Sequence, residues 1–422
     1  MRRKVSILCV VVLAAISSPL QGALSQGADQ AWPQWRGAGR DGLVPEGSTP
    51  PVWPSTFARA WGVEVGEGYA SPVVAGGRVF VHSRRDPAEL VTAVDLSTGG
   101  VVWQQSYPAP YAKNSYAGEM AKGPNATPLI AGGRLLTLGA TGVLTAWDMV
   151  TGRHLWQKDF SKLVDFSKLF CGTAASPLLV DDRVIVQVGS DVHGGTIVAL
   201  DPATGSAVWE WTGPGPGYAS PMLFTVDGVR QIVTLTNRSV IGLDAATGRE
   251  LWSAPFANEW HENIVTPIWT GDAIVVSSKE QGTVAYRPAR GDGGWRVVER
   301  WRNREITMYM SSPVAGDGVV YGLSDKRRGS FVALDASTGA LRWQSTGREA
   351  VNATVWLTPS RLLYLTDEAR LVIVPREAGA RAFPEALRIE LGTGAVWSAP
   401  VFLGPDLLVK DASSLVRLRP GA

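Results

Sequence analysis

Ala93-Val-Asp-Leu-Ser-Thr-Gly-Gly-Val-Val-Trp103 is the stretch that decides the fold, because it recurs. Asp is followed by Thr at +3, Gly at +4 and Trp at +8 in five copies: Asp95/Gly99/Trp103, Asp148/Gly152/Trp156, Asp201/Gly205/Trp209, Asp244/Gly248/Trp252 and Asp335/Gly339/Trp343. Two degenerate copies fill the gaps, one with Gly291 and Trp295 after Arg287, the other with Gly379 and Phe383 after Pro375. A repeat at fixed spacing has to be read before any single element, since each unit is one supersecondary piece of a larger array.

A second signature precedes each unit, a Ser/Thr/Ala-Pro step followed by a β-rich run. It occurs at Ser71-Pro72, Thr127-Pro128, Ser176-Pro177, Ser220-Pro221, Thr266-Pro267, Ser312-Pro313 and Ala399-Pro400, with a proline-less copy from Thr354. Short Val/Ile/Leu runs punctuated by Gly, Asp and Pro predict antiparallel strands joined by tight turns. The Asp side chain accepts turn hydrogen bonds, and Gly at +4 supplies the positive φ that closes the hairpin. A four-stranded sheet of this size cannot bury both faces alone, so the units predict an all-β, eight-bladed propeller with Trp packing between blades. The eighth blade lacks an outer strand at the C-terminus. The alternating segment Phe57 to Val65 is expected to supply it, so that both chain ends share one blade and the ring closes.

Composition agrees with a folded chain: 45% of the 422 residues are hydrophobic, too many for a disordered polymer. Residues 1–23 read as an export signal, with Arg2, Arg3 and Lys4 before an apolar run and then small and polar residues. Residues 24–56 follow as an N-terminal extension, and 57–422 as the single propeller domain. Without the first 23 residues the net charge falls from +2 to −1, which leaves no basic footprint for nucleic acid. No further apolar run predicts a transmembrane segment. Cys9 precedes most of the apolar run and is not placed for lipidation, and Cys171 reads as a small buried residue with no disulfide partner. The expected product is an exported monomer, periplasmic or extracellular.

The Ala-x-Asp-x-x-Thr-Gly-x-x-x-Trp unit resembles the tryptophan-docking repeat of pyrroloquinoline quinone (PQQ) type propellers, over about residues 57–420. That group includes quinoprotein dehydrogenases and BamB-like outer-membrane assembly proteins. Trp32-Pro-Gln-Trp35-Arg-Gly37 with Arg40-Asp-Gly42 also resembles the start of many exported bacterial members. The resemblance implies eight blades. It does not decide function, because catalytic and non-catalytic members share the scaffold.

Dehydrogenases of this type clamp the quinone with a disulfide between adjacent cysteines and hold calcium through Glu, Asn and Asp, and this chain has no such cysteine pair. No haem-attachment motif or zinc-spaced histidine pair is present. In Trp260-His261-Glu262-Asn263, Glu262 and Asn263 could hold a hard cation and His261 could act as acid or base; the alternative is a polar loop bonding its own backbone. By the resemblance, loops of this kind open on a funnel face. The others are Glu67, Tyr69, Tyr116, Asn125, Tyr218, Arg304, Glu305, Tyr309, Asn352 and Trp397, residue types suited to a binding surface or to capping blade ends. Two long inserts, Tyr107 to Pro124 and Lys158 to Cys171, could add specificity; Phe160, Leu163, Phe166 and Phe170 predict a short amphipathic helix in the second.

The leading expectation is a non-catalytic binding or scaffold protein that presents its funnel or rim to an envelope or extracellular protein or extended ligand, with no cofactor, in a BamB-like role. The alternative is a PQQ-dependent oxidoreductase with Ca²⁺ near Glu262 and Asn263. A third reading, a glycan hydrolase or lyase, requires a carboxylate pair that the sequence does not reveal.

Overall fold

The computed structural model describes residues 31–421, except 113, 115, 116, 118–121, 166–168 and 378. Among these, thirty-two strands form eight four-stranded antiparallel sheets. Blades 1 to 7 occupy residues 73–108, 129–159, 178–213, 222–255, 268–303, 314–344 and 353–390, each with its strands in chain order. Blade 8 is built from Val401–Leu403, Asp406–Lys410 and Ser414–Pro420, and Phe57–Glu64 is its outer strand. Phe57 pairs with Pro420 and Glu64 with Ser414, so the two ends of the chain share one sheet. The core runs between blades as apolar layers from facing sheets, such as the one joining Val74, Leu363, Leu371, Val401 and Leu408.

Local chemistry fixes the hairpins. The Asp95 Oδ1 atom accepts bonds from the backbone and hydroxyl of both Ser97 and Thr98, which holds its carboxyl down at about 2. Gly99 then turns at φ +76°, and a Cβ there would lie 2.8 Å from the Trp61 ring. Trp61 lies flat on that turn and donates Nε1 to Leu96 O at 3.1 Å.

The same contact repeats from blade to blade, and it gives the turn glycines a second role that the sequence reading did not assign. Gly152 and Gly205 were expected only to close their own hairpins, yet each is also the seat for the tryptophan of the preceding blade. Trp103 lies on Gly152, where a Cβ would come within 2.6 Å of its ring, and donates to Met149 O at 3.3 Å. Trp156 lies on Gly205, where a Cβ would come within 2.8 Å, and donates to Pro202 O at 3.0 Å. Trp209 packs on Gly248, where a Cβ would come within 2.3 Å of its ring, but its Nε1 makes no hydrogen bond there. The Gly and Trp of one sequence unit therefore serve different blade joins.

Blade 5 departs from the sequence reading. Its outer hairpin is long, Gly282–Gly291 against Gly294–Asn303, and Trp295 pairs with Arg290 near the tip. In regular blades the docking Trp pairs with the residue two before the Asp, as Trp103 pairs with Ala93 and Trp343 with Ala333. In blade 5 that partner is Ala285, and it faces Trp301. Trp301 lies on the Gly339 turn and donates to Ala336 O at 2.9 Å, so Trp301 takes the place assigned to Trp295, and Gly291 is not the turn glycine. The hairpin also removes the turn on which Trp252 would dock. Trp252 faces its own blade instead, donating to Gln231 Oε1 at 2.6 Å. In blade 7 the degenerate Phe383 receives Trp343 edge-on, with ring centroids 5.3 Å apart.

The Pro-steps begin the inner strands and line the axis. Ser71 N donates to the Thr127 hydroxyl, Thr127 N to Ser176, Ser176 N to Ser220, Ser220 N to Thr266 and Thr266 N to Ser312, at 3.0–3.1 Å. Ala399 N returns to Ser71 at 2.8 Å. This girdle of hydroxyls links neighbouring blades and is interrupted at blades 7 and 8, where Ala353 and Ala399 have none.

Residues 31–44, read in the sequence as part of an extension, run into the central channel. Trp32 bridges Val74 of blade 1, Pro33 O accepts Ile130 N of blade 2, and Val44 N donates to Leu357 O of blade 7. Arg40 donates to Ser176 O, Pro177 O and Pro221 O at 2.5–3.0 Å, and Arg36 to Pro313 O at 2.7 Å. The segment therefore plugs the ring and ties together blades 1, 2, 3, 4, 6 and 7. Where an amphipathic helix was predicted, the described residues contain a 3₁₀ turn, Ser161–Leu163, and a bond from Leu169 N to Asp165 O at 3.2 Å, and Phe166 lies outside them.

Candidate functional site

The loops before the Pro-steps surround a cavity of about 320 Å³ on the axis, large enough for a compact organic ligand. Its floor is Trp35 and Arg36 of the plug, and its lower wall is the hydroxyl girdle. Above these stand Tyr69, Asn125, Tyr218, Glu262, Tyr309, Asn352 and Trp397, seven of the thirteen residues the sequence assigns to the funnel. Through Trp35 and Arg36 the plug lies across one end of the cavity. The Asp-Gly-Trp repeat residues take no part in it: Gly152, Gly205 and their counterparts sit at the outer hairpins of the blades, and none lines the cavity.

Each wall residue is held by a neighbouring blade. The rings of Tyr69 and Trp397 lie 5.8 Å apart across the join between blades 8 and 1. Asn125 donates to Cys171 O at 3.2 Å, and the Tyr218 hydroxyl accepts Phe170 N at 2.9 Å, which brings the second insert against the wall. Cys171, expected to be buried, is half-buried and lines the cavity. Asn352 Oδ1 accepts the Ser311 hydroxyl at 2.7 Å.

One acidic group stands in this wall. The Tyr309 hydroxyl donates to Glu262 Oε2, and Lys279 Nζ lies 3.8 Å from the Tyr309 ring centroid. Burial pushes the Glu262 carboxyl above its ordinary value, outweighing Tyr309 and Lys279, and it pushes the Tyr309 hydroxyl up strongly. Tyr309 thus keeps its proton and donates it in a hydrogen bond to a partly desolvated Glu262. In the described residues no second carboxylate lines the cavity to form the pair that glycoside hydrolysis requires.

The other predicted residues lie elsewhere. Asn263 is fully buried and donates to Thr236 O at 2.8 Å and Phe256 O at 2.6 Å, while its Oδ1 accepts Asn258 Nδ2 at 3.0 Å. Its side chain is occupied in pinning the loop, so Glu262 and Asn263 do not form the cation-holding pair their adjacency suggested. His261 pairs with Asp191, which also accepts Asn237 Nδ2. Glu67 bridges Arg84 through its backbone and accepts Lys122 N at 3.3 Å, away from the cavity. Arg304 is exposed, and Glu305 faces Lys326 and Arg327 at 3.7 and 3.8 Å. Tyr116 lies outside the described residues.

Sequence reasoning missed the floor. Trp35 sits over two buried guanidiniums, with Arg36 Cζ 5.4 Å and Arg40 Cζ 5.7 Å from its ring centroid. The signal was present as the Trp-Arg-Gly and Arg-Asp-Gly pair, but their partners lie 136 to 277 positions away. Burial lowers Arg36 to about 10; burial and the Arg36 charge lower Arg40 to about 9, and both stay cationic at neutral pH.

The family model described as outer membrane protein assembly factor BamB matches residues 47–222 and 193–358. A protein of that name from Yersinia pestis is 26% identical over 224 residues, which are 52% of this chain and 51% of that protein; the chain spans about half of that relative's length. Two solved structures share the fold. Quinohemoprotein alcohol dehydrogenase from Comamonas testosteroni superposes with a TM-score of 0.66 at 15% identity over 92% of this chain and 80% of its own. BamB from Moraxella catarrhalis superposes with a TM-score of 0.60 at 16% identity over 86% of this chain and 98% of its own. With its eight four-stranded blades and a match over most of its length, the chain belongs to the PQQ-like repeat propellers of the BamB family.

Proposed function

We propose that this protein is an exported, non-catalytic propeller that binds through its funnel face and rim, with a protein partner in outer-membrane assembly. The observation that carries this reading is the plugged funnel: an aromatic-walled cavity, with its own N-terminal segment across one end, in a chain of the BamB family. Rigid Tyr and Trp side chains offer contact area at low entropic cost. Trp260, 60% exposed on the loop that carries Glu262, extends that surface at the rim. The apolar run of residues 1–23 supports export.

The competing oxidoreductase reading relied on a cation between Glu262 and Asn263, and the buried hydrogen bonds of Asn263 count against that pair. Depletion of the protein in its host tests the proposal. Expected is a fall in outer-membrane β-barrel proteins, restored by the wild-type gene and not by a Trp260→Ala, Trp397→Ala variant. Unchanged barrel levels, or turnover of an alcohol by the purified chain loaded with PQQ and calcium, would refute it.

A further inference from the structure

A second groove, of about 440 Å³, lies at the opposite end of the blades from the funnel. Ala353 begins the inner strand of blade 7 at the funnel cavity, and Thr358 follows the far end of that strand at this groove. The two share no lining residue. One wall is the N-terminal segment Thr49-Pro50-Pro51-Val52-Trp53, and the other is blade 7. Blade 7 builds its wall where it departs from the repeat. Residues 358–360 join its first two strands, where blades 1–4 use two residues. Its third strand ends at Pro375 and its fourth begins at Leu387, a wider gap than the Asp-x-x-Thr-Gly turn spans in blades 1–4.

The lining is mixed in kind and balanced in charge. Trp53 is half-buried, packing against the core shared by blades 7, 8 and 1 while it lines the groove. Pro50 and Pro51 fix the backbone beside it, so the indole is held in place before any ligand arrives. Arg361 and Glu385 line the same groove without pairing with each other, and neither side chain makes any other ion pair or hydrogen bond among the described residues. Arg376, the other arginine beside this turn, is by contrast committed to Asp317 at 2.7 Å and Thr358 O at 3.0 Å. The hydroxyls of Thr49 and Ser360 also have no protein partner, whereas that of Thr358 holds its own turn, donating to Arg361 O at 3.2 Å and accepting Arg361 N at 2.8 Å. This pattern selects among ligand classes. A free anion would meet Glu385 and a free cation Arg361, while a lipid tail would leave all these polar groups unpaired. A neutral polyol satisfies them together: its C–H face lies on an indole, and its hydroxyls both donate and accept, as a carboxylate, a guanidinium and two hydroxyls require.

We propose that this groove binds a neutral saccharide chain, with Trp53 against the face of one sugar ring and Arg361, Glu385 and Ser360 on its hydroxyls. The site stands apart from the funnel and does not rest on the function proposed for it. Val52 and Leu387, 81% and 41% exposed, put apolar surface on both walls, which suits a chain of rings better than a single small polar molecule. Two sources share this chemistry, a chain of N-acetylated amino sugars and a chain of plain hexoses.

Calorimetric titration of the purified full chain tests it with chitotetraose for the amino sugars, maltotetraose for the hexoses, and N-acetyl-tetraproline amide as a neutral peptide suited to an indole beside prolines. Expected is saturable binding of at least one saccharide, unchanged by added salt because the ligand has no charge. The saccharide that binds identifies the source; binding of both supports the shared chemistry. Trp53→Ala should weaken it about 10-fold or more, and Arg361→Ala and Glu385→Ala each roughly 3- to 10-fold, the range of one hydrogen bond. Neither Arg361 nor Glu385 holds another part of the protein through its side chain, so these two variants test the site even where Trp53→Ala fails to fold. No saturable binding of either saccharide, binding that neither of these two substitutions weakens, or the peptide bound in preference to both saccharides would overturn the proposal, and none of these results bears on the partner at the rim.

Discussion

Trp301 and Trp295 differ by six positions, and replacing each by alanine should separate a docking tryptophan from a hairpin one. Trp301 is 8% exposed, lies on the Gly339 turn of the next blade and donates to Ala336 O at 2.9 Å. Losing a buried indole costs about 3–5 kcal/mol, and its hydrogen bond is worth about 1 kcal/mol of that loss. Trp295 is half-buried near the tip of a two-stranded hairpin, and area loss alone predicts roughly 1–1.5 kcal/mol. Urea unfolding of the two variants measures both, as a shift in midpoint at constant slope. Gly339→Ala should behave like Trp301→Ala, because its Cβ would lie 2.3 Å from Trp301 Cε3 at a φ of +71°. If Trp295→Ala destabilised as much as Trp301→Ala, the register of blade 5 and the account of inter-blade docking would be wrong.

Further outcomes follow from the plug and the wall. Arg40→Met should cost roughly 3 kcal/mol by orphaning the carbonyls of Ser176, Pro177 and Pro221, and should speed amide exchange and proteolysis within residues 31–44; unchanged protection would show that the plug does not depend on this residue. Glu262 has a folded-state pKa above its unfolded value of about 4.5, so the folded state holds its proton longer and the protein loses stability as pH rises from there through the raised value. Glu262→Gln should therefore gain thermal stability relative to wild type at pH 7 and not at pH 4; a pH-independent difference would mean that Glu262 is not desolvated. Asn263→Ala should destabilise by about 1–3 kcal/mol through the freed carbonyls of Thr236 and Phe256, and calorimetry of the wild-type chain should show no calcium binding that depends on this side chain.

The blades were legible because their signals are local. Asp95 and Gly99 make their turn within five residues, and the closing strand at Phe57 shows its alternation directly. What Gly152 and Gly205 carry for the neighbouring blade was not legible, since the tryptophan seated on each comes from the preceding repeat, 49 residues earlier in both cases. Blade 5 was misread because Trp295 falls at +8 by coincidence, whereas the pairing that matters, Ala285 with Trp301, depends on a hairpin length that spacing does not encode. On the funnel wall, Tyr69, Tyr218, Tyr309 and Trp397 followed from their place before the Pro-steps. Asn263 followed the same rule and failed it, since adjacent residues in a loop point apart and its amide found two carbonyls beneath the surface. The floor was hidden because Arg36 and Arg40 meet their partners across most of the ring, a relation with no local pattern.

The measurement that bears most directly on the proposed function is site-specific photo-crosslinking in the native host. A crosslinking residue would replace Trp260 at the rim or, as control, Val208, which is 48% exposed on the outer strand of blade 3. The account predicts an adduct from position 260 that contains a protein of the outer-membrane assembly machinery, and none from position 208. Adducts equal at both positions, or a rim free of any such protein, would contradict it.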